Sequence, residues 1–458
     1  MAGQLNRRVF VKRAALAAGG CWILGDSRSV RAYAANEKLN LAVVGVGRRG
    51  SGLTRAIRRV GQNVTALCDV DLRRAEPWRD EAPGVPWYQD FRVMLDEQDA
   101  RLDGVVAALP AHGHAAVGAA AMRQGKHVYL EKPAAQNVGE ARALRHIAAE
   151  TQVATQMGNQ GMATNSFRRT VELVRDGALG EIREAHVWFV YGGPGPRDLP
   201  TGEQPVPDYL NWNVWLGPLA FRPYHPAWMS GAWREVGSGV LGGCGSHGIN
   251  MAFMGLRLGA LWGTDGEVQG TLRVEAEPSE ISPNTFPRWQ IIHYDIPARG
   301  DLPPARIHWY NASQAELKRQ GIWQPLEAIA GRSLVWEGSW TPESGSLLVG
   351  SRGVVHTNAH NSICAMLPKE QFPEAAGPPE RLPSVPGHER DWMAACRGEG
   401  TPISNFNHSG PAMELLLLGN VATRFPEGLE FDPAACRIVN HDEADRLLRP
   451  PRREGWEM

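Results

Sequence analysis

The chain contains no run of about 18 uninterrupted apolar residues, the length a helix needs to cross a bilayer. Its most apolar stretch, MELLLLGNVATRF from Met413, is too short and ends in polar residues, so no membrane span is expected. An excess of one charge is also missing. Lys and Arg number 48 against 49 Asp and Glu, a formal net charge of −1, and no basic stripe is interleaved with aromatics. That balance removes the electrostatic case for nucleic acid. Cysteine is scarce, with six in 458 residues, no C-x-x-C and no Cys/His spacing suited to zinc. A disulfide scaffold is therefore excluded, and no metal is expected. Setting Cys21 aside leaves Cys68, Cys244, Cys364, Cys396 and Cys436, an odd number expected to be buried free thiols. What remains is a length of 458 residues and 43% hydrophobic content, enough for two or more domains of a small-molecule enzyme.

The first 35 residues read as an address. Asn6-Arg7-Arg8-Val9-Phe10-Val11-Lys12 is similar to the twin-arginine export signal, and the mildly apolar AALAAGGCWILG follows it. Ala32-Tyr33-Ala34 offers the small-x-small pattern of a signal-peptidase site. Residues 1–35 are thus expected to be a twin-arginine signal peptide. Export through that route to the periplasm or beyond carries folded proteins, which suits an enzyme that loads a nucleotide before it crosses.

The segment LNLAVVGVGRRGSGL, Leu39 to Leu53, sets an apolar run against a glycine-spaced turn that opens a helical pattern. Gly45 allows the sharp turn, Gly47 lets backbone N–H groups approach a pyrophosphate, and Gly50 lets helix and strand pack closely. Val46, Arg48 and Arg49 complete the turn, whose free amides and helix dipole suit phosphate. A G-x-G-x-x-G match alone is weak evidence in a glycine-rich chain. A second strand-like run, NVTALCDVD, ends at Asp69, where a carboxylate meets the adenosine ribose hydroxyls and favours NAD over NADP.

Farther on, RLDGVVAALPAHGHAAVGAAAMRQGKHVYLEKP from Arg101 reads as strand, loop, helix and strand. Alternation of this kind predicts a doubly wound parallel sheet, with ligands at the carboxyl ends of its strands. Leu109-Pro110 and Glu131-Lys132-Pro133 fall at such ends. Pro133 holds Lys132 extended and permits a cis bond.

Three motifs together, GVGRRG, the P-x-x-x-H of Pro110 to His114, and GKHVYLEKP, resemble the glucose-fructose oxidoreductase, inositol dehydrogenase and rhizopine-catabolism (Gfo/Idh/MocA) family. The likeness continues through ATQMGNQG (154–161), LNWNVWLGP (210–218), GSGVLGGCGSHGIN (237–250) and SNFNHSGPAMELLLLGNVA (404–422), which resemble exported members. The resemblance implies an N-terminal Rossmann domain over residues 36–155. It also implies an α+β substrate domain over 156–458, whose open, mostly antiparallel sheet carries substrate on one face and a homo-oligomer contact on the other. The last part of the chain would pack back toward the Rossmann domain. In agreement, EIREAHVWFVY, TLRVEAE and RWQIIHYDI alternate as half-buried strands do, and GGPGPRDLPTGEQPVPDY must be a loop.

The same resemblance assigns roles. Lys132 would hydrogen-bond the reacting oxygen, Glu131 would sit near the nicotinamide ribose, and His247 would be the general acid/base. Leu109, Pro110 and His114 join the cofactor set. One departure matters: relatives commonly carry an aspartate four residues before this histidine, where the chain has Gly243, and an acid three residues after it, where it has Asn250. His247 would then work alone, recruit Glu235 or Asp208, or have lost the role. Aromatics between Tyr209 and Trp233 suit the flat faces of a sugar. Trp212, Tyr224, His225 and Trp233 are candidate substrate residues, with Asn159 and Gln160 as hydroxyl partners. Three functions remain open: an NAD-dependent oxidoreductase acting on a sugar, sugar derivative or polyol; a redox-neutral glycosidase working through transient oxidation; and a nucleotide-bearing protein without catalysis.

Overall fold

The computed structural model describes residues 38–266 and 269–458. The expected signal segment 1–35 and Cys21 lie outside the described residues. Six short strands form a parallel sheet: β1 (Asn40–Val44), β2 (Asn63–Cys68), β3 (Trp87–Tyr88), β4 (Gly104–Ala107), β5 (His127–Leu130) and β6 (Thr155–Met157). Their order is β3-β2-β1-β4-β5-β6, with every pair parallel. Central strands of such a sheet are covered on both faces and read as continuous apolar runs. Leu41, Ala42, Val43, Val105, Val106 and Ala107 are accordingly buried. Helices α1 (Arg48–Arg59), α2 (Ala111–Arg123) and α3 (Val138–Thr151) supply the cover. On α1 the stripe Gly50, Leu53, Thr54, Ile57 faces the sheet, the spacing of one helical face. Strand order reverses between β1 and β4, which opens a crevice at their carboxyl ends. Strand β6 straddles the expected domain boundary at 155/156.

The second sheet has nine strands: β7 (Ile182–Phe189), β8 (Leu272–Pro278), β9 (Gln290–Ile296), β10 (Ala305–Asn311), β11 (Gly345–Gly350), β12 (Val354–Asn358), β13 (Cys364–Leu367), β14 (Leu429–Asp432) and β15 (Arg437–Ile438). Their order is β13-β12-β11-β7-β10-β9-β8-β14-β15, antiparallel throughout except for the β7–β10 pair. The fold is thus a Rossmann sheet joined to an open, mostly antiparallel one. The three runs read as alternating in the sequence are β7, β8 and β9, and their inward residues Ala185, Val187, Val274, Ile292 and Tyr294 join the main core.

Helix α4 (Phe406–Ala422) packs on α3 on one side and on the sheet at β8 on another. Being enclosed, it is apolar nearly all round. The LLLL run that is too short to span a bilayer is therefore an inter-domain helix. Its one buried charge, Glu414, receives a bidentate pair from Arg142 at 2.7 and 2.8 Å and the Trp262 indole N–H at 2.9 Å. Loss of Arg142 would leave a buried carboxylate unpaired, a destabilisation of about 3–5 kcal/mol. Cys68, Cys244, Cys364, Cys396 and Cys436 are all free. Among the described residues no helix is long and apolar enough to cross a membrane.

Candidate active site

The crevice begins at the glycine turn. Gly45 has φ +80°, and a Cβ there would meet the Ala108 carbonyl oxygen at 2.3 Å; one at Gly50 would meet the Gly45 oxygen at 1.7 Å. Both positions are fixed by the fold itself. Gly47 differs: the nearest atom to a Cβ there is Arg74 Nε at 4.0 Å, so this face is open. Helix α1 starts at Arg48 with no side-chain cap and no acid in its first turn. Nothing on the helix competes with an anion for the free amides. Asp69, at the end of β2, accepts from Val46 N at 3.0 Å and Asp71 N at 3.1 Å. Burial raises its carboxyl above the usual range, against the pull of those two N–H groups and Arg74. Arg73 is engaged by Asp71 at 2.7 Å. The open glycine face, the uncapped amides and a carboxylate at the second strand fit a dinucleotide.

Along the same edge, β5 delivers Glu131 and Lys132. The Glu131 carboxylate is buried and accepts from Arg49 Nε at 2.6 Å and Gln160 Nε2 at 3.2 Å. Gly158 is required beside it, because a Cβ would lie 2.7 Å from that carboxyl. His114 is fully buried, so it acts as a strut. Its Nε2 accepts from Leu109 N at 2.9 Å, which leaves Nδ1–H to donate to the Pro133 carbonyl at 2.8 Å. It ties the β4 and β5 turns together, and burial lowers it to about 4. Pro110 caps α2, and the Lys132–Pro133 bond is cis.

Lys132 Nζ donates to the Gly243 carbonyl at 3.0 Å. That carbonyl lies in a π-helical turn, Leu241–Gly245, immediately before His247. A π-turn shifts the backbone ladder and is common at functional sites. His247 is buried and its Nδ1 has no hydrogen-bond partner. Its pKa falls well below the ordinary value through burial first, then through His360 and Lys132. The His360 ring lies 4.5 Å from that of His247, and Trp340 stacks on His360 at 4.5 Å. Burial, then Lys132, lowers His360 to about 4. Both imidazoles are neutral at physiological pH. Asn250 holds the helix beneath, donating to the Ser246 and His247 carbonyls at 2.9 and 2.8 Å. Asn159, fully buried, reaches Ser246 O and Asn250 Oδ1, each at 3.4 Å.

Beside these groups, reached through Pro133, Cys244 and Trp340, lies a cavity of about 590 Å³ also lined by Tyr191, Gln290 and Asn311. Gly192, Gly193 and Pro194 of the predicted loop also line it. Trp340 and His360 were not singled out in the sequence. They come from the loop before β11 and the β12–β13 turn, and no periodicity or motif marks either. One signal did exist: Gly161 of ATQMGNQG is where a Cβ would meet the His360 carbonyl oxygen at 1.8 Å.

The remaining residues lie elsewhere. Trp212 stacks on Trp215 at 4.8 Å and meets Tyr224 edge-on at 5.1 Å. Trp212 and Tyr224 line a separate cavity of about 920 Å³ with Gln89 and Asp208. His225 caps the 226–228 turn through Ala227 N, and Trp233 donates to the Ala227 carbonyl at 2.6 Å. Glu235 pairs with Arg222. Trp212, Tyr224 and Trp233 thus pack with Trp215 as a small core of their own, apart from Lys132 and His247.

Residues 39–159 match the model of the Gfo/Idh/MocA oxidoreductase family, NAD-binding Rossmann fold. A glycosyl hydrolase family 109 protein of Solibacter usitatus is 31% identical over 195 residues, 39% of this chain and 44% of that protein. Another, from Saccharopolyspora erythraea, is 30% identical over 169 residues, 34% of this chain and 36% of that one. The matches thus span less than half the length of these curated relatives. Among solved structures, the WlbA dehydrogenase of Chromobacterium violaceum, in complex with NADH and UDP-GlcNAcA, superposes with a TM-score of 0.55 at 14% identity, covering 88% of this chain and 98% of that one. At such identity the likeness speaks for the fold. Family match, strand order and open glycine cradle agree that residues 39–159 form an NAD-binding Rossmann domain of the kind the Gfo/Idh/MocA oxidoreductase model describes.

Proposed function

We propose that this protein oxidises a secondary alcohol of a sugar, sugar derivative or polyol with NAD. The observation that carries the reading is that the Lys132 ammonium is bonded to the Gly243 carbonyl and acts electrostatically on the neutral, buried His247, while their chain neighbours Pro133 and Cys244 line a cavity of about 590 Å³. Bound NAD supplies the hydride acceptor. Lys132 spends one of its three donors on Gly243 and keeps two for a substrate oxygen, where its charge stabilises a developing alkoxide. The imidazole of His247, held neutral by burial, takes the hydroxyl proton. Trp340 and Tyr191 offer flat faces at the mouth, and Gln290 and Asn311 offer polar groups on the floor.

A second reading is favoured by the relatives named as glycosyl hydrolase family 109 proteins. Oxidation at the same site would acidify the neighbouring C–H and permit elimination of a glycosidic group; water would then add across the resulting double bond, and the hydride would return to the carbonyl. Both readings share the first step. The test is to purify the full chain, identify any retained nucleotide by mass, and follow NADH and released aglycone on one panel of sugars and glycosides. NADH accumulating in step with a keto product supports net oxidation; aglycone release without net NADH supports the second reading. Absence of both on a nucleotide-loaded protein, or a Lys132→Met variant with parental turnover, would reject the site.

A further inference from the structure

On the outer face of the second sheet three donors converge. β7 and β10, the one parallel pair, place His186 directly beside His308, and β9 continues the row with His293. Glu184, two residues before His186 on β7, shares that face. Its Oε1 lies 3.4 Å from His186 Nε2 and 3.0 Å from His308 Nε2, and the three atoms all fall within 4.8 Å of one another. A tetrahedral zinc with bonds of about 2.0–2.1 Å holds its donors about 3.3–3.4 Å apart, so the spacing suits that ion.

The surroundings point the same way. His186 is 5% exposed, and its Nε2, aimed at Glu184, has no hydrogen-bond partner. Its other nitrogen, Nδ1, meets the Tyr310 hydroxyl at 3.1 Å. His308 Nδ1 meets His293 Nδ1 at 2.7 Å, and His293 Nε2 lies 3.7 Å from Glu277. His186 and His308 therefore each have Nδ1 engaged and Nε2 turned toward Glu184, the arrangement of imidazoles oriented by outer partners toward a metal. Arg306, a neighbouring cation on β10, is engaged by Asp295 at 2.5 and 2.8 Å. A carboxylate oxygen and two imidazole Nε2 atoms thus converge on one point.

We infer that Glu184, His186 and His308 bind a divalent first-row transition ion of the zinc type, with a fourth position open toward solvent. The spacing of the ligands in sequence hid the site: no Cys/His motif marks it, and cross-strand register alone brings residues 184, 186 and 308 together. The absence of metal-ligand spacing in the sequence is thereby overtaken by topology. The ion would clip β7 to β10, and the inference does not depend on the reaction assigned to the crevice.

The test is a Co(II) titration of full-length, untagged protein stripped with chelator. Expected is visible d–d absorption that saturates at one equivalent per chain, lacks a thiolate charge-transfer band, is displaced by zinc, and disappears in Glu184→Gln and His308→Gln. His293→Ala, which removes only the orienting partner, should weaken binding about 10- to 100-fold. Glu184 is half-exposed, so Glu184→Gln keeps the test sound even where a histidine variant fails to fold. Absence of saturable absorption, or unchanged affinity and stoichiometry in Glu184→Gln, overturns the assignment.

Discussion

Two alanine substitutions in the same turn should have opposite signatures. At Gly50 a Cβ would lie 1.7 Å from the Gly45 oxygen and 2.8 Å from the Gly45 carbon, both backbone atoms. The turn would have to shift by more than about 1 Å, and overpacking of that kind costs about 1–3 kcal/mol or more. Gly50→Ala should therefore lower Tm by several degrees. At Gly47 the backbone sits at φ −68° and ψ −162°, a conformation alanine adopts freely, and the new methyl would have no atom nearer than 4.0 Å. The fold should lose less than about 1 kcal/mol, the difference between Gly and Ala at a helix N-cap. The methyl would instead stand over the uncapped amides of α1. Displacing one charge-assisted hydrogen bond to a pyrophosphate, worth about 1.5–3 kcal/mol, weakens binding by about 10- to 150-fold in Kd. NADH fluorescence titration beside thermal denaturation separates the two effects. A Gly47→Ala protein that binds NADH within threefold of the parent would show that the dinucleotide does not cross this turn.

Two further outcomes follow from buried histidines. Because His247 stays neutral well below the usual imidazole range, kcat/KM should be flat through pH 6.5 and fall only at more acid pH. A Gly243→Asp variant, whose side chain enters open space, should move that acid limb upward by about 1–3 units by stabilising the imidazolium; a limb already centred near 6.5 in the parent would contradict the role of burial. His114, at about 4 in the fold against about 6.5 unfolded, binds fewer protons folded than unfolded between those values. Its stabilisation is complete above 6.5 and is lost as pH falls toward 4, by about 2 kcal/mol at pH 5. Urea unfolding at pH 7 and pH 5 should show a smaller difference for His114→Gln than for the parent, and an equal difference would reject the strut.

The Rossmann half was legible because its signals are local. An apolar strand, glycines at fixed offsets and a helix start occupy one stretch of chain, and the strand-helix alternation from Arg101 extends it to Lys132. β7, β8 and β9 were legible for a similar reason, since one buried and one wetter face impose a period of two. The rest of the second sheet and half of its site depend on register between distant strands. His360 and Trp340 sit on connecting segments whose sequence says nothing about which neighbour they meet. The aromatics from Tyr209 to Trp233 illustrate the converse: a tryptophan that stacks on a sugar and one that packs on another tryptophan look alike in sequence, and only the fold turns Trp212 toward Trp215.

Glycines record where distant segments had to approach, and that separates packing from chemistry at His247. In the block before it, a Cβ at Gly242 would strike Ser238 at 2.4 Å, at Gly245 it would strike Leu416 at 2.8 Å, and just beyond the histidine at Gly248 it would strike Phe189 at 2.7 Å. Gly245 and Gly248 are demanded by the passage of the chain between α4 and the sheet, and Gly242 by the close approach of Ser238 in the preceding turn. Gly243 has nothing within 4 Å. The fold leaves room for the aspartate that relatives commonly carry there, and the chain leaves the room open while using the same residue's carbonyl to hold Lys132. A carboxylate at that position would raise the basicity of His247 and draw the Lys132 charge toward itself. Without it, His247 stays a weak base, and on the proposed reading Lys132 would be left available to an oxygen of the substrate, with the electrostatic work resting on the ammonium.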